Sequence, residues 1–344
     1  MARNKAQSTN LHASFWRSLP RPFFVLAPMA NVTDVAFRAM IAKYGKPDVM
    51  WNEFVSADGL NSPGKERLLL DLRFSKNERP IVAQLFTGHP EAMKKAAAIC
   101  TELGYDGLDI NMGCPDRAVE KQGGGAASIK DPKNALKVLE AAREGFGGSG
   151  NVSVKTRIGY NAVDMGWIKL LLEQKLPALT IHLRTRKEMS DVPAHWELMP
   201  EIVKLRDEVQ KDIPVNERTL VIGNGDVESI ADAFAKTQKY GCDGVMIGRG
   251  IFGTPWLFEE CRHGKNAHER TPKERLTIMV EHAKLYEKYF KNIKNFAVMK
   301  KHFKAYVSGW DGAKELRVRL METENARQVK KIVDEYLASE HKVR

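Results

Sequence analysis

A chain of 344 residues, 43% hydrophobic, 28% charged and carrying a net charge of +11, has room for one large α/β domain of roughly 250 residues and a smaller one. No apolar run reaches the roughly 18 residues of a membrane span, and the opening MARNKAQSTN lacks the charged-then-apolar layout of a signal peptide, so a soluble, unexported protein with no membrane partner is expected. The cysteines Cys100, Cys114, Cys242 and Cys261 form no CxxC pair and no His/Cys cluster at metal spacing, which argues against a disulfide framework or a bound metal and points to a reducing cytoplasm.

Residues 1–20 read as a polar lead-in. Short apolar runs then alternate with longer amphipathic stretches. The runs are Phe23–Ala27, Val49–Asn52, Ile81–Leu85, Gly107–Ile110, Val152–Lys155, Ala178–His182, Leu220–Gly223 and Gly244–Ile247. Helical periodicity is expected over Asp34–Tyr44, Pro90–Leu103, Pro132–Glu144, Ala162–Gln174, Glu197–Val209 and Val227–Tyr240. Such alternation fits a closed (β/α)8 TIM barrel over residues 21–262; a doubly wound open sheet is the alternative, weakened because no GxGxxG turn follows the first strand.

A barrel gathers its functional residues where strands end and βα loops begin. Seven of the eight runs end in polar or special residues: Pro28 and Met29, then Gln84, Asn111 with Cys114, Lys155-Thr156-Arg157, His182 with Arg184, Asn224-Gly225-Asp226, and Gly248-Arg249. Gly113-Cys114-Pro115 places a thiol on a loop at a strand exit, as a donor or nucleophile or else as an inert buried cysteine. The following Lys121 and Gly123 to Gly125 suggest a segment that moves as a lid. Asn224-Gly225 and Gly248-Arg249 supply backbone and guanidinium donors where barrels bind phosphate, and Lys155 and His182 are placed to hydrogen-bond an electron-rich ring such as a flavin.

After Trp256-Leu257-Phe258 the pattern turns all-helical, with helices expected over Thr271–Lys291, Phe296–Val307 and Gly312–Leu337. From Cys261 onward there are 20 Lys and Arg against 11 Asp and Glu, so nine of the eleven surplus charges lie in this tail. Lys300, Lys301, His302, Lys304, Arg317 and Arg319, with Tyr306 and Trp310 interleaved, suit a structured RNA held by backbone charge and shape.

These residues resemble the tRNA-dihydrouridine synthases. The likeness runs through APMANVTDVAFR, QLF, DINMGCP with VEKQGGGAA, VKTRIG, IHLRTR, NGD, IGRGIFGTPWLF, KKHFKAY and ELRVRL, from Leu26 to Leu320. The resemblance implies a flavin mononucleotide (FMN) barrel over residues 21–262 and a helical tRNA-binding domain over 263–344, with NADPH as reductant; a monomer is expected. It implies flavin contacts from Pro28, Met29, Ala30, Gln84, Lys155, His182, Asn224, Gly225, Asp226, Gly248 and Arg249. Cys114 matches the family's catalytic acid, protonating carbon 5 of a uracil whose carbon 6 takes hydride. Asn111 and Lys121 would position that ring, Arg184 would meet nucleotide or flavin phosphate, and Lys300, Lys301, His302 and Arg317 would hold tRNA. Leu183 stands where the family usually has glycine and is expected to crowd the flavin phosphate side; Ser128-Ile129 replace leucines. The rival readings are a dihydroorotate-type dehydrogenase of free pyrimidines, which leaves the basic tail unexplained, and a flavin-bearing tRNA binder whose catalysis is dispensable.

Overall fold

The structure, a computed structural model, describes residues 14–148, 150–259 and 270–340. Residues 1–13 of the lead-in, Cys261 and the expected boundary at 262/263 lie outside the described residues.

All eight apolar runs form parallel strands: β1 (Phe23–Leu26), β2 (Met50–Trp51), β4 (Ile81–Phe86), β5 (Gly107–Met112), β6 (Val152–Arg157), β7 (Ala178–His182), β8 (Leu220–Asn224) and β9 (Gly244–Ile247). A ninth, β3 (Val55–Ser56), also pairs with β4 and was not expected. The order β1-β9-β8-β7-β6-β5-β4-β2 closes into a ring through a bridge between Val25 and Val49. This is a TIM barrel, as the alternation of strand and helix predicts.

Strand periodicity sorts the side chains into two cores. Along β5, Leu108, Ile110 and Met112 point outward into the apolar layer beneath the helices, while Asp109 and Asn111 alternate with them and take the inner face. At the N-terminal end the interior is apolar, filled by Phe23, Val25, Trp51, Val82, Ala178 and Leu220. Trp16 joins this cluster, its ring 5.8 Å from that of Trp51 and 6.4 Å from that of Phe23. The lead-in expectation is therefore corrected: Phe15–Ser18 is a short 3-10 helix whose Trp16 is 1% exposed and stoppers the barrel. Arg17 fastens it by donating to the carbonyls of Asn216, Glu217 and Arg218.

The outer helices start and stop where chemistry dictates. Asp34 accepts from the N–H groups of Ala36 and Phe37 at the head of Val35–Tyr44, and Asp131 caps Pro132–Phe146, which ends at Gly147 in the left-handed region. The helix expected from Ala162 begins only at Met165, because Asp164 accepts from Trp167 N–H and so fixes the first turn there.

The tail packs helices Pro272–Phe290, Met299–Tyr306, Ala313–Met321 and Ala326–Glu340 against the barrel. The single helix expected over Gly312–Leu337 is two: the Thr323 hydroxyl donates to Leu320 C=O, ending the first, and Asn325 accepts from Gln328 N–H, starting the second. The joint with the barrel is made where Phe37 stacks on His282 at 5.1 Å and lies 4.7 Å from His302.

Candidate active site

The C-terminal end of the barrel is polar where the other end is apolar. Gln84 and Asp109 stand level in register, as do Asn111 and Lys155, and His182 and Asn224. Gln84 Nε2 donates to Asp109 at 2.6 Å, Ser153 Oγ donates to the other Asp109 oxygen at 2.6 Å, and Asn111 Nδ2 donates to Gln84 Oε1 at 3.0 Å. Burial pushes the Asp109 carboxyl up to about 6 against the lowering effect of the Ser153 and Gln84 hydrogen bonds. This Asp109–Ser153 floor was not singled out from the sequence, although Asp109 lies two residues before Asn111 and so shares its face.

Asn111 ends that network and begins the cysteine loop. Its Oδ1 accepts the backbone N–H of Gly113 at 3.1 Å and of Cys114 at 2.9 Å, so one buried amide sets the turn that carries the thiol. Gly113 is needed because a Cβ there would lie 3.0 Å from the backbone of Thr156. Arg157, at the end of its strand, donates from Nε to Gly113 C=O at 2.9 Å and from Nη1 to Thr185 C=O at 2.8 Å, tying the loops after β5 and β7 together. Cys114 is half-buried; burial raises its pKa above the usual 9.0, so the sulfur carries its proton at neutral pH.

The glycine run does not form a free hinge. Gly125, at φ +58°, is buried with no room for a Cβ, which would sit 2.5 Å from Cys114 C=O, and Gly88 N–H donates to Gln122 C=O at 2.8 Å. The glycines permit close packing of the cysteine loop on its neighbours, and the expected lid is corrected to a fastened segment containing the short helix Arg117–Lys121, with Lys121 exposed to solvent.

Beside this loop the mouth opens into a cavity of about 610 Å³. Of the expected cofactor residues, Pro28, Met29, Lys155, His182, Asn224, Gly225, Asp226, Gly248 and Arg249 line it. Ala30 and Gln84 do not line it, and Gln84 is fully buried in the floor. Arg184 is on the wall, 2% exposed, donating from Nε to Val192 C=O at 2.6 Å, ion-paired with Asp226 and 3.2 Å from His182 Nε2. Burial favours a protonated Asp226, but the hydrogen bonds from Arg184 and Ala194 N–H outweigh it and hold the carboxyl below 3.8. Leu183 points away into the apolar layer, fully buried, so the expected crowding of the cavity does not occur.

The cavity carries cationic potential. Burial, reinforced by Arg157, brings the Lys155 ammonium down to about 8, and its Nζ makes no hydrogen bond with the described residues. Burial, with Lys155, Arg157, Arg184 and Arg249 around it, holds His182 well below its usual 6.5, so the imidazole is neutral. Gly225, at φ +127°, and Gly250 leave no space for a Cβ, whereas a Cβ on Gly248 would lie only 3.6 Å from Met29 Sδ. An electron-rich ring beside Lys155 and a phosphate beside Arg249 and the glycine backbones fit this donor set.

In the tail, one of the expected tRNA residues, His302, is buried and the others lie at or near the surface. Lys300 and Lys301 are half-buried on Met299–Tyr306, and Arg317 spends one guanidinium nitrogen on Val307 C=O at 2.7 Å. His302 is fully buried between Phe37, Phe252 and His282, so its expected contact with tRNA is corrected: its place is on the inner face of the helix, in line with Met299, Phe303 and Tyr306. Tyr306 is likewise core, and Trp310 lies under Arg275 and donates to Tyr336 Oη at 3.0 Å. Among the described residues no group of three or more His, Cys, Asp or Glu is placed to hold a metal ion, and no helix is long and apolar enough to cross a membrane.

The fold recurs in known proteins. Morphinone reductase in complex with tetrahydroNAD superposes with a TM-score of 0.51 at 14% identity, covering 76% of this chain and 92% of that one. An old yellow enzyme homologue from Zymomonas mobilis does so with a TM-score of 0.50 at 13% identity, over 74% of this chain and 92% of that one; both likenesses are of fold. In sequence, a protein of Bacillus subtilis (strain 168) described as probable tRNA-dihydrouridine synthase 2 is 43% identical over 327 residues, 94% of this chain and 96% of its own. A probable tRNA-dihydrouridine synthase of Staphylococcus aureus (strain COL) is 41% identical over 329 residues, 94% of this chain and 96% of its own. The dihydrouridine synthase (Dus) family matches residues 25–342, spanning the barrel, the Cys114 loop and the helical tail together, and the chain therefore belongs to the dihydrouridine synthase family.

Proposed function

We propose that this protein reduces the 5,6 double bond of uridines in tRNA to dihydrouridine, with FMN in the cavity and NADPH as electron donor. The observation that carries the reading is the adjacency, in register on β5 and β6, of Asn111, which builds the Cys114 turn, and Lys155, whose ammonium has no hydrogen-bond partner at the cavity wall among the described residues. When bound, the flavin supplies the hydride that reaches carbon 6.

The residues of the chain do the rest. Lys155 presents positive charge, and His182 a neutral imidazole, toward the ring's polar edge. Arg249, Gly225 and Gly248 hold the phosphate, with Asp226 fixing the angle of Arg249 through a 3.0 Å contact. Pro28, Met29 and Asn224 shape the wall. Cys114 Sγ gives its proton to carbon 5, and the raised pKa keeps the thiol loaded at neutral pH. Asn111 has one amide hydrogen left for the uracil, Lys121 helps to position that ring from the cysteine-loop helix, and Arg184 meets nucleotide or flavin phosphate from the cavity wall. Gln84 and Asp109 act through Asn111.

A uridine within folded tRNA has to be turned out of its stack to enter such a mouth, and contacts elsewhere on the RNA offset that cost. The tail, read as a domain over 263–344 beside a barrel over 21–262, provides them with Lys300, Lys301 and Arg317. This accounts for the surplus of basic residues there, which a small-pyrimidine dehydrogenase would not need.

The test is an anaerobic titration of the purified protein in one cuvette. A flavin spectrum that bleaches with NADPH and returns on adding unmodified tRNA transcript is expected. Bleaching without recovery by tRNA, but with recovery by free uracil or orotate, would overturn the substrate, and a protein that takes up no flavin would overturn the site.

A further inference from the structure

On the rim of the barrel mouth, the loops after β5, β6 and β7 converge on Tyr160. Lys130 Nζ lies 4.6 Å from the centre of its ring and the Arg186 guanidinium 5.5 Å. Arg186 N–H donates to Gly159 C=O and Lys187 N–H to Tyr160 C=O, each at 2.9 Å, so the β7 loop is laced to the β6 loop by its backbone. Arg186 also binds Glu120 through both Nε and Nη2, the shortest contact being 2.7 Å, which adds the cysteine-loop helix to the same unit.

This rim is cationic beyond its internal pairs. Arg117, Lys121, Lys130 and Lys187 are exposed and have no carboxylate partner among the described residues. The nearby carboxylates are engaged: Glu120 with Arg186, Asp116 with the N–H groups of Ala118 and Val119, and Glu188 with His195 and Thr185 N–H. Lysines held over an aromatic ring and on laced loops lose less freedom on binding than lysines on a free surface.

Its position gives the cluster a meaning. The tail docks on the helix after β1, through Phe37 with His282 and through Lys43 and Tyr44 with Glu281. In the ring order, β6 is four strands from β1 by either route, so Tyr160 stands diametrically across the mouth from the tail. We infer that the rim formed by Lys130, Tyr160, Arg186 and Lys187, flanked by Arg117 and Lys121, is a second contact for the phosphate backbone of a structured RNA, which then lies across the mouth between rim and tail. The inference rests on the tRNA reading and adds the surface that fixes the far side of the RNA. Two contacts on opposite sides of one opening determine the angle at which an RNA crosses it, whereas the tail alone leaves a pivot.

The experiment compares wild type with Lys130→Gln/Lys187→Gln, using the flavin-loaded full chain and unmodified tRNA transcript over a salt series. The double variant is expected to bind less tightly and to lower the slope of log affinity against log salt by about two, one for each phosphate that is no longer neutralised. Its rate of flavin reduction by NADPH stays that of wild type. A second pair on the outer wall, Lys169→Gln/Lys204→Gln, removes the same charge and leaves affinity and slope unchanged. Equal weakening by both pairs, or an unaltered slope in the rim pair, overturns the inference. If the double variant misfolds, Lys187→Gln alone, at an exposed side chain, is expected to lower the slope by about one, and no change overturns the proposal. Loss of binding to phosphatidylserine-containing vesicles with tRNA affinity intact would assign the rim to a membrane and overturn it too. A wild-type protein that reoxidises with tRNA while the rim variant binds normally sinks the rim alone; one that binds no tRNA sinks the substrate reading with it.

Discussion

Asn111 Oδ1 accepts the backbone N–H of Cys114 at 2.9 Å while Asn111 Nδ2 donates to Gln84 Oε1 at 3.0 Å, so the amide that sets the thiol's turn is itself held by the barrel floor. Asn111→Ala leaves buried donors at Gly113 and Cys114 unpaired, a cost of about 1–3 kcal/mol for each such group. Turnover with tRNA is expected to fall more than stability accounts for, with kcat dropping and KM little changed. Single-turnover kinetics alongside denaturant unfolding checks this; a loss confined to stability would refute the positioning role.

Cys114→Ala removes the proposed proton donor and replaces no residue that lines the cavity. Dihydrouridine formation is expected to drop about 10²- to 10⁴-fold, the usual worth of a general acid, while NADPH still bleaches the flavin and tRNA still binds. Mass analysis of nucleosides from the treated tRNA reads the outcome. Unchanged modification would take the proton from another group.

The buried Asp109 carboxyl makes stability depend on pH in an unusual direction. Its folded value of about 6 lies above the ordinary 3.8, so the folded protein keeps a proton that the unfolded chain releases between these values. The stability gained from that proton is complete below about pH 4 and lost as pH rises through about 6, on the order of 2–3 kcal/mol. Asp109→Asn is expected to flatten this part of the profile. Urea unfolding at a series of pH values would show the flattening or refute it.

His302 has both ring nitrogens buried without a hydrogen-bond partner among the described residues. His302→Leu replaces them by apolar volume, and a gain of about 1 kcal/mol is expected because the desolvation cost disappears. Thermal unfolding measures the gain, and tRNA affinity of the same variant should equal wild type. Weakened binding without loss of stability would restore the histidine to the RNA surface.

The barrel was readable because its strands are short apolar runs broken by polar residues at the mouth end. Lys155, His182, Asn224 and Arg249 were readable for the same reason: a polar residue ending an apolar run has little else to do than face the mouth. What escaped has physical causes. Trp16 is one ring in a polar segment and carries no periodicity, and only the fold reveals the empty barrel end that it fills. Asp109 is one acidic residue within an apolar run, and its worth as a floor depends on Ser153 from a strand 44 residues away. The tail misled differently: Lys300 and Lys301 share a helix with His302, and charge drew attention past the spacing of Met299, His302, Phe303 and Tyr306, which marks the buried face. The division of Gly312–Leu337 turned on Thr323 and Asn325, whose local hydrogen bonds compete with a helix that the apolar pattern alone would continue.

Trp16, jammed against Trp51 and Phe23, has one more consequence. With that end of the barrel filled, the proposed electron donor and acceptor both reach the cavity from the mouth, where they are expected to compete for one doorway. Turnover is then expected to alternate, the nicotinamide leaving before the nucleobase enters. Steady-state rates measured against NADPH at several fixed tRNA concentrations should give parallel double-reciprocal lines, and lines that meet would mean that both occupy the doorway at once.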